Sequence, residues 1–190
     1  VYNILFCGWS SNSRYSLIGS MRSINQLLSY EVYIMIMIIN IVLWNNSLNI
    51  IDIIENQIYS NNLLALLPIF IIFLISILAE TNRHPFDLPE AESELVGGFN
   101  TEYSGLWFAL IYLGEYSNII IMSSLVSILY FKGSICSIET LVMILLFIII
   151  RATLPRLKSI ELLKLGWIDI LPICFGFLIL NYCILWSLYN

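Results

Sequence analysis

Five blocks of sequence, near residues 27–44, 63–79, 105–131, 135–150 and 168–188, carry at most one charged residue apiece. Each is close to the length needed to cross a bilayer. No other feature limits the fold so sharply. Lipid cannot hydrogen-bond the backbone, so segments of this kind must be helices or the strands of a closed barrel. Barrel strands alternate polar with apolar residues, and a run such as 33–42 shows no alternation. The shortest block, 63–79, spans ~25 Å as a helix, enough if flanking side chains reach outward. Composition agrees: 11% of residues are charged and mean hydropathy is +0.89, whereas soluble domains carry about 25% charged residues. The predicted fold class is an all-α integral membrane protein, one membrane domain over residues 1–190. It has about five full transmembrane helices, and residues 1–9 read as the end of one more. Pro68 and Pro172 fall inside blocks, where neighbouring helices can tolerate a kink.

Basic residues assign the connections to sides. Arg14 and Arg22 precede the first full span, Arg83 follows the second, and Arg151, Arg156, Lys158 and Lys164 separate the fourth from the fifth. An odd number of spans lies between opposite faces, so these seven share one face and only Lys132 is on the other. The positive-inside tendency makes the first face the inner one. Its connections are expected near 10–26, 80–104 and 151–167. On the outer face, 45–62 predicts a short helix lying in the interface, with Ile50, Ile51, Ile54 and Ile58 on one side and Asp52, Glu55 and Asn56 on the other.

Several chemistries have no residues to support them. Cys7, Cys136, Cys174 and Cys183 lack the CxxC spacing of a zinc or iron–sulfur frame. His84 is the sole histidine, which excludes a haem held by two histidines of this chain. With a formal charge of −5 there is no basic patch for nucleic acid. No internal repeat is present. Isoleucine (35 residues) and asparagine (15 residues) are abundant, a usage associated with A/T-rich organellar genomes.

Three carboxylates lie where they are costly. Glu31 sits about one turn inside the first full span, Glu80 closes the second, and Glu115 lies ten residues into the third. A charge at the bilayer centre costs roughly 2.5–3.5 kcal/mol by insertion scales. Removing a carboxyl group from water disfavours its charged form, which suits it to proton exchange. The bland alternatives are that Glu31 and Glu80 reach interfacial water and that Glu115 makes a structural bond to another helix. Six of the thirteen acids, Glu80, Asp87, Glu90, Glu92, Glu94 and Glu102, crowd the inner connection. Pro85 and Pro89 stop the preceding helix, and 90–96 can form about two turns before Gly97-Gly98. Phe86, Leu88, Leu95, Val96 and Phe99 interleave with the acids, so the predicted loop is structured and packs on something. Docking of a soluble partner and entry of protons both remain open on these grounds.

The run Glu80-Thr81-Asn82-Arg83-His84-Pro85-Phe86-Asp87-Leu88-Pro89-Glu90-Ala91-Glu92-Ser93-Glu94-Leu95-Val96 resembles the signature of subunit 1 of respiratory complex I, the proton-pumping NADH:ubiquinone oxidoreductase. So do Gly8-Trp9-Ser10-Ser11-Asn12-Ser13-Arg14-Tyr15-Ser16-Leu17-Ile18-Gly19 with Ser29-Tyr30-Glu31-Val32, and Phe99-Asn100-Thr101-Glu102-Tyr103-Ser104 with Gly114-Glu115-Tyr116. The matches extend over most of the chain. Members of that family have eight spans, and this chain resembles the end of the third through the eighth. A split gene is the expectation, with a separate chain supplying the first helices.

The resemblance implies a mitochondrial inner-membrane, multi-pass subunit at the heel of the membrane arm, with ubiquinone as substrate and no flavin, haem, metal or iron–sulfur cluster of its own. It implies that the 80–104 loop faces the quinone chamber, with Arg83, Phe86, Asp87, Glu90, Glu92, Glu94 and Glu102 on it. Glu31, Glu80 and Glu115 match acids of a proton path, and Arg22 is a possible charge partner. Implied partners are the quinone-site subunits of the peripheral arm, neighbouring membrane-arm subunits and lipid. Without a nucleotide loop or cluster ligands, the chain is not expected to oxidise NADH alone. Rival readings are the membrane anchor of an energy-converting hydrogenase, told apart by bound quinone, and a proton-coupled transporter, which should show repeated halves or paired broken helices. A purely structural anchor would tolerate Gln at Glu31, Glu80 and Glu115.

Overall fold

Every regular element among the described residues is a helix. The computed structural model describes residues 1–82, 85–87, 103–132, 137–155 and 157–189. The elements are α1 (Tyr2–Ser10), α2 (Arg14–Asn45), α3 (Ile50–Tyr59), α4 (Asn62–Ala65), α5 (Leu67–Glu80), α6 (Gly105–Tyr130), α7 (Ile138–Thr153), α8 (Ser159–Lys164), a π-helical stretch (Leu165–Ile170) and α9 (Leu171–Tyr189). Among the described residues, three segments are long and apolar enough to cross a membrane: Arg14–Asn45, Gly105–Tyr130 and Glu161–Ser187. The 14 residues of α5 are also apolar but shorter, reaching ~21 Å.

Local chemistry moves some boundaries. The segment 14–26, read from sequence as an inner connection, is helical and continuous with the span that follows. Asn12 turns the chain through a left-handed conformation, and the Ser13 hydroxyl then accepts the Ser16 N–H at 3.2 Å. That N-cap starts the helix well before the apolar block begins. Asn46, also left-handed, ends it. The 32 residues of α2 rise ~48 Å, so the helix outreaches a ~30 Å hydrocarbon core.

The two prolines act differently. Pro68 stands at the start of α5 and interrupts the helix at Leu66, leaving the single turn α4 upstream. Proline needs no donor at a helix start, and in a continuous helix its ring would clash with the Leu64 carbonyl four residues back. Pro172 follows the π-helical stretch. Its missing N–H removes the bond that the Ile168 carbonyl would receive in an α-helix, and the wider turns upstream accommodate the loss.

Helix α2 is the centre of the fold, packed by α1, α5 and α9. Tyr30, Tyr33, Met37 and Ile41 of α2 join Phe73 and Ile77 of α5 in one core cluster. Gly8 permits α1 to cross α2 closely, since a Cβ there would strike the Ser20 side chain. On the opposite flank the Asn181 Nδ2 donates to Asn40 Oδ1 at 3.1 Å in the buried seam with α9, beside a Cys174–Met37 sulfur contact. Helices α6 and α7 run along each other, and α3 and α4 pack on α6. Leu106, Trp107 and Ile121 of α6, Leu145 and Ile148 of α7, and Ile179 of α9 stand exposed. Helices with apolar outer faces are what a lipid solvent selects.

Hydrogen bonds gather the connections at two ends. The Leu157 N–H donates to Pro85 O at 3.0 Å, joining the connection after α7 to that after α5. At the far end Lys132 N–H donates to Gln57 Oε1 at 2.7 Å, joining the connection after α6 to α3. On α3, Ile53 and Gln57 are buried while Ile50, Ile51 and Ile58 are exposed, so the helix has a face on the protein and an apolar face beside it.

Candidate functional site

Helix α5 ends at Glu80, where its last carbonyls lack partners within the helix. One of them is claimed from α2. The Gln26 Nε2 donates to Ala79 O at 2.8 Å and to Phe86 O at 3.0 Å. Gln26 is 1% exposed, so both bonds are shielded from water, and since Ala79 O also accepts the Asn82 N–H, it is Phe86 O that would be left without this partner, at a cost of about 1–3 kcal/mol. The pair clips the chain after α5 back over the end of the helix. One helical turn on, the Tyr30 ring lies 6.4 Å from that of Phe86, and its hydroxyl donates to Leu162 O at 3.1 Å. Gln26 and Tyr30 are four residues apart and share a face of α2. Together they hold the connection after α5 and the helix α8 to one side of α2.

The far end of the acidic connection is tied elsewhere. The Tyr103 hydroxyl donates to Cys7 O at 3.0 Å and lies 2.7 Å from Ser10 Oγ, both on α1. Two residues on, Gly105 opens α6 with φ of +58°, a conformation that a side chain would strain.

Beside these ties lies an open-sided cavity of about 1010 Å³ lined by residues of α1, α2, α5 and α6. Glu31 from α2, Glu80 from α5 and Glu115 from α6 all line it. The sequence singled out these three acids from separate segments, and the fold brings them to one space. Glu31 is exposed, on the wall; Glu80 and Glu115 are half-buried. Glu80 Oε2 is buried without a hydrogen-bond partner among the described residues. Asn82, Ser117 and Asn118 add amide and hydroxyl groups to the same wall. Such a lining can take up, pass and release protons through water held between carboxylates. Among the described residues, no three His, Cys, Asp or Glu side chains converge as a metal set.

The remaining expected residues divide. Phe86 is buried against Tyr30, and Asp87 is half-buried beside it. Arg22 lies on α2, half-buried and outside the cavity lining. Arg83, Glu90, Glu92, Glu94 and Glu102, and the two turns expected over 90–96, lie outside the described residues. Gln26, Tyr30 and Tyr103 were not read from sequence as positioning groups. A signal existed for the first two, since a glutamine and a tyrosine at i and i+4 mark a polar stripe on an otherwise apolar helix.

Comparison with known proteins gives consistent matches. The profile of the NADH dehydrogenase family matches residues 1–182. An NADH-quinone oxidoreductase subunit of Rhodospirillum centenum is 45% identical over 197 residues, covering 95% of this chain and 59% of that protein. The NADH-ubiquinone oxidoreductase chain 1 of Chondrus crispus is 44% identical, covering 98% of this chain and 62% of that protein. That of Dictyostelium citrinum is 47% identical over 177 residues, covering 90% and 55% respectively. The chain spans about three fifths of the length of the curated relatives it matches.

Proposed function

The chain belongs to the NADH dehydrogenase family, and from that membership we propose that it is a membrane-arm subunit of a proton-translocating NADH:quinone oxidoreductase. One observation carries the reading: Glu31, Glu80 and Glu115, from three different helices, line a single cavity beside the clipped connection that follows Glu80. Quinone reduction takes up electrons and protons together, so charge changes at the site where it occurs. In this reading the quinone, ubiquinone, is bound in a chamber faced by the acidic connection, with Phe86 and Asp87 at its near edge. A change of charge there alters the relative affinity of Glu80, Glu31 and Glu115 for protons, which redistribute along the cavity. Electrons reach the quinone from other subunits, and this chain contributes chamber wall and proton path.

The partners in this reading are the quinone-site subunits of the peripheral arm, the neighbouring membrane-arm subunits and lipid. The exposed apolar faces of α6, α7 and α9 support a multi-pass position in the membrane. Codon-linked abundance of isoleucine and asparagine favours the mitochondrial inner membrane over a bacterial plasma membrane.

The test uses native membranes. Complexes are solubilised gently and separated by size, this chain is identified by mass spectrometry, and the same band is assayed for NADH:quinone reductase. Co-migration with a very large active complex is the expected result. Recovery of the chain only in a small assembly without that activity would overturn the reading.

A further inference from the structure

Helix α6 buries side chains at one end only, although α7 runs along it and Tyr103, two residues before it, is tied to α1. Its buried residues, Ser123, Val126, Ser127, Leu129 and Tyr130, all fall in its last two turns. None of residues 105–122 is buried, and Glu115, Ser117 and Asn118 on that length form one wall of the acid-lined cavity.

Two buried amides make the hold. Gln57 of α3 is 0% exposed. Its Nε2 donates to Leu129 O at 2.7 Å and to Ile128 O at 3.0 Å, while its Oε1 accepts the Lys132 N–H at 2.7 Å. Asn62, equally buried, adds a bond to Leu129 O at 3.2 Å. These carbonyls belong to the last turn of α6 and have no acceptor role within the helix. Lys132, left-handed at φ of 61°, turns the chain so that its N–H meets Gln57. The rings of Phe70 and Phe73 then close on Tyr130 at 4.9 and 5.7 Å. Beyond this point nothing of α6 is buried. Glu115 lies fourteen residues from Leu129, ~21 Å along the axis, so a rotation of about 5° at the clasp carries it about 2 Å.

We propose that Gln57 is a positioning residue, which by fixing the outer end of α6 sets the distance of Glu115 from Glu31 and Glu80 across the cavity. Its consequence for turnover rests on the reading of those acids as a proton path; its consequence for geometry does not. The titratable groups facing Glu115 across the cavity are Tyr2 and Cys7 on α1, Glu31 on α2 and Glu80 on α5.

The test is made in the assembled complex, with Ser117→Cys as a reporter on the cavity wall, in the presence and absence of Gln57→Met. Labelling of that cysteine by a water-soluble maleimide should change at least threefold in rate. The midpoint of the pH profile of quinone reduction should also move by half a unit or more. Ile58→Ala, exposed on the same helix, should move neither. If Gln57→Met does not assemble, Asn62→Ala removes one bond of the clasp and carries the same test. An unchanged labelling rate overturns the proposal whatever the activity does. Changed labelling with an unchanged pH profile supports the clasp and counts against the proton-path reading, so the two can fail separately.

Discussion

Tyr30 and Tyr33 stand one turn apart on α2, both fully buried, with rings 5.3 Å apart edge to face. Their hydroxyls differ. That of Tyr30 donates to Leu162 O, whereas that of Tyr33 has no partner among the described residues. Tyr30→Phe should therefore destabilise the complex by about 0.5–1.5 kcal/mol, through loss of one buried hydrogen bond to a carbonyl that keeps the Leu165 N–H. Tyr33→Phe should cost measurably less, since no bond is lost. Thermal unfolding of the purified complex decides, and equal losses would contradict the assignment. At this scale the acids were legible in the sequence and the amides were not. Glu115 stands out because a carboxylate is expensive in an apolar run. Gln26 and Gln57 do not, because a single amide near a helix end looks ordinary and their partners are 53 to 75 residues away.

At the scale of elements, the seam between α2 and α9 is fixed by Asn40 and Asn181 at 3.1 Å. In a membrane such a bond is worth roughly 0.6–1.7 kcal/mol. A double-mutant cycle with Asn40→Leu and Asn181→Leu should return a coupling of that size, and a value indistinguishable from zero would remove the bond from the account. The π-helical stretch offers a second test. A Cβ on Gly166 would meet the Tyr33 hydroxyl at 2.8 Å and its ring at 2.9 Å. Gly166→Ala should destabilise by about 1–3 kcal/mol through overpacking, and Tyr33→Phe should recover part of the loss, read as the yield of assembled complex. Recovery absent in the pair would place the strain elsewhere. The all-helical, apolar character was legible because apolar length is the signal. The N-terminal extension of α2 was not, since polar residues such as Arg22, Asn25 and Gln26 read as a connection until Ser13 is seen to cap them. Pro172 marked a disturbance from sequence, but not whether the helix would kink or widen.

For the whole molecule, the proposed function depends on three helices facing one space. Glu80→Gln and Glu115→Gln keep shape and hydrogen-bonding capacity while removing the proton-carrying group. Each should lower quinone-reductase turnover at least about tenfold in a complex that still assembles, since a positioned acid–base group contributes about a hundredfold or more. Wild-type turnover in an assembled variant would exclude that acid from the path. The convergence of the acids could not be derived from spacing, because Glu31, Glu80 and Glu115 meet only through the packing of α2 with α5 and the separate anchoring of α6.

The unbroken length of α2 has a mechanical consequence. A helix of ~48 Å without a hinge behaves as a lever, and a tilt of about 5° moves one end by about 4 Å relative to the other. Gln26 and Tyr30 grip the connection after α5 and helix α8 on one arm of this lever, and Asn40 grips α9 on the other. A tilt of the helix thus displaces the two sets of partners in opposite directions.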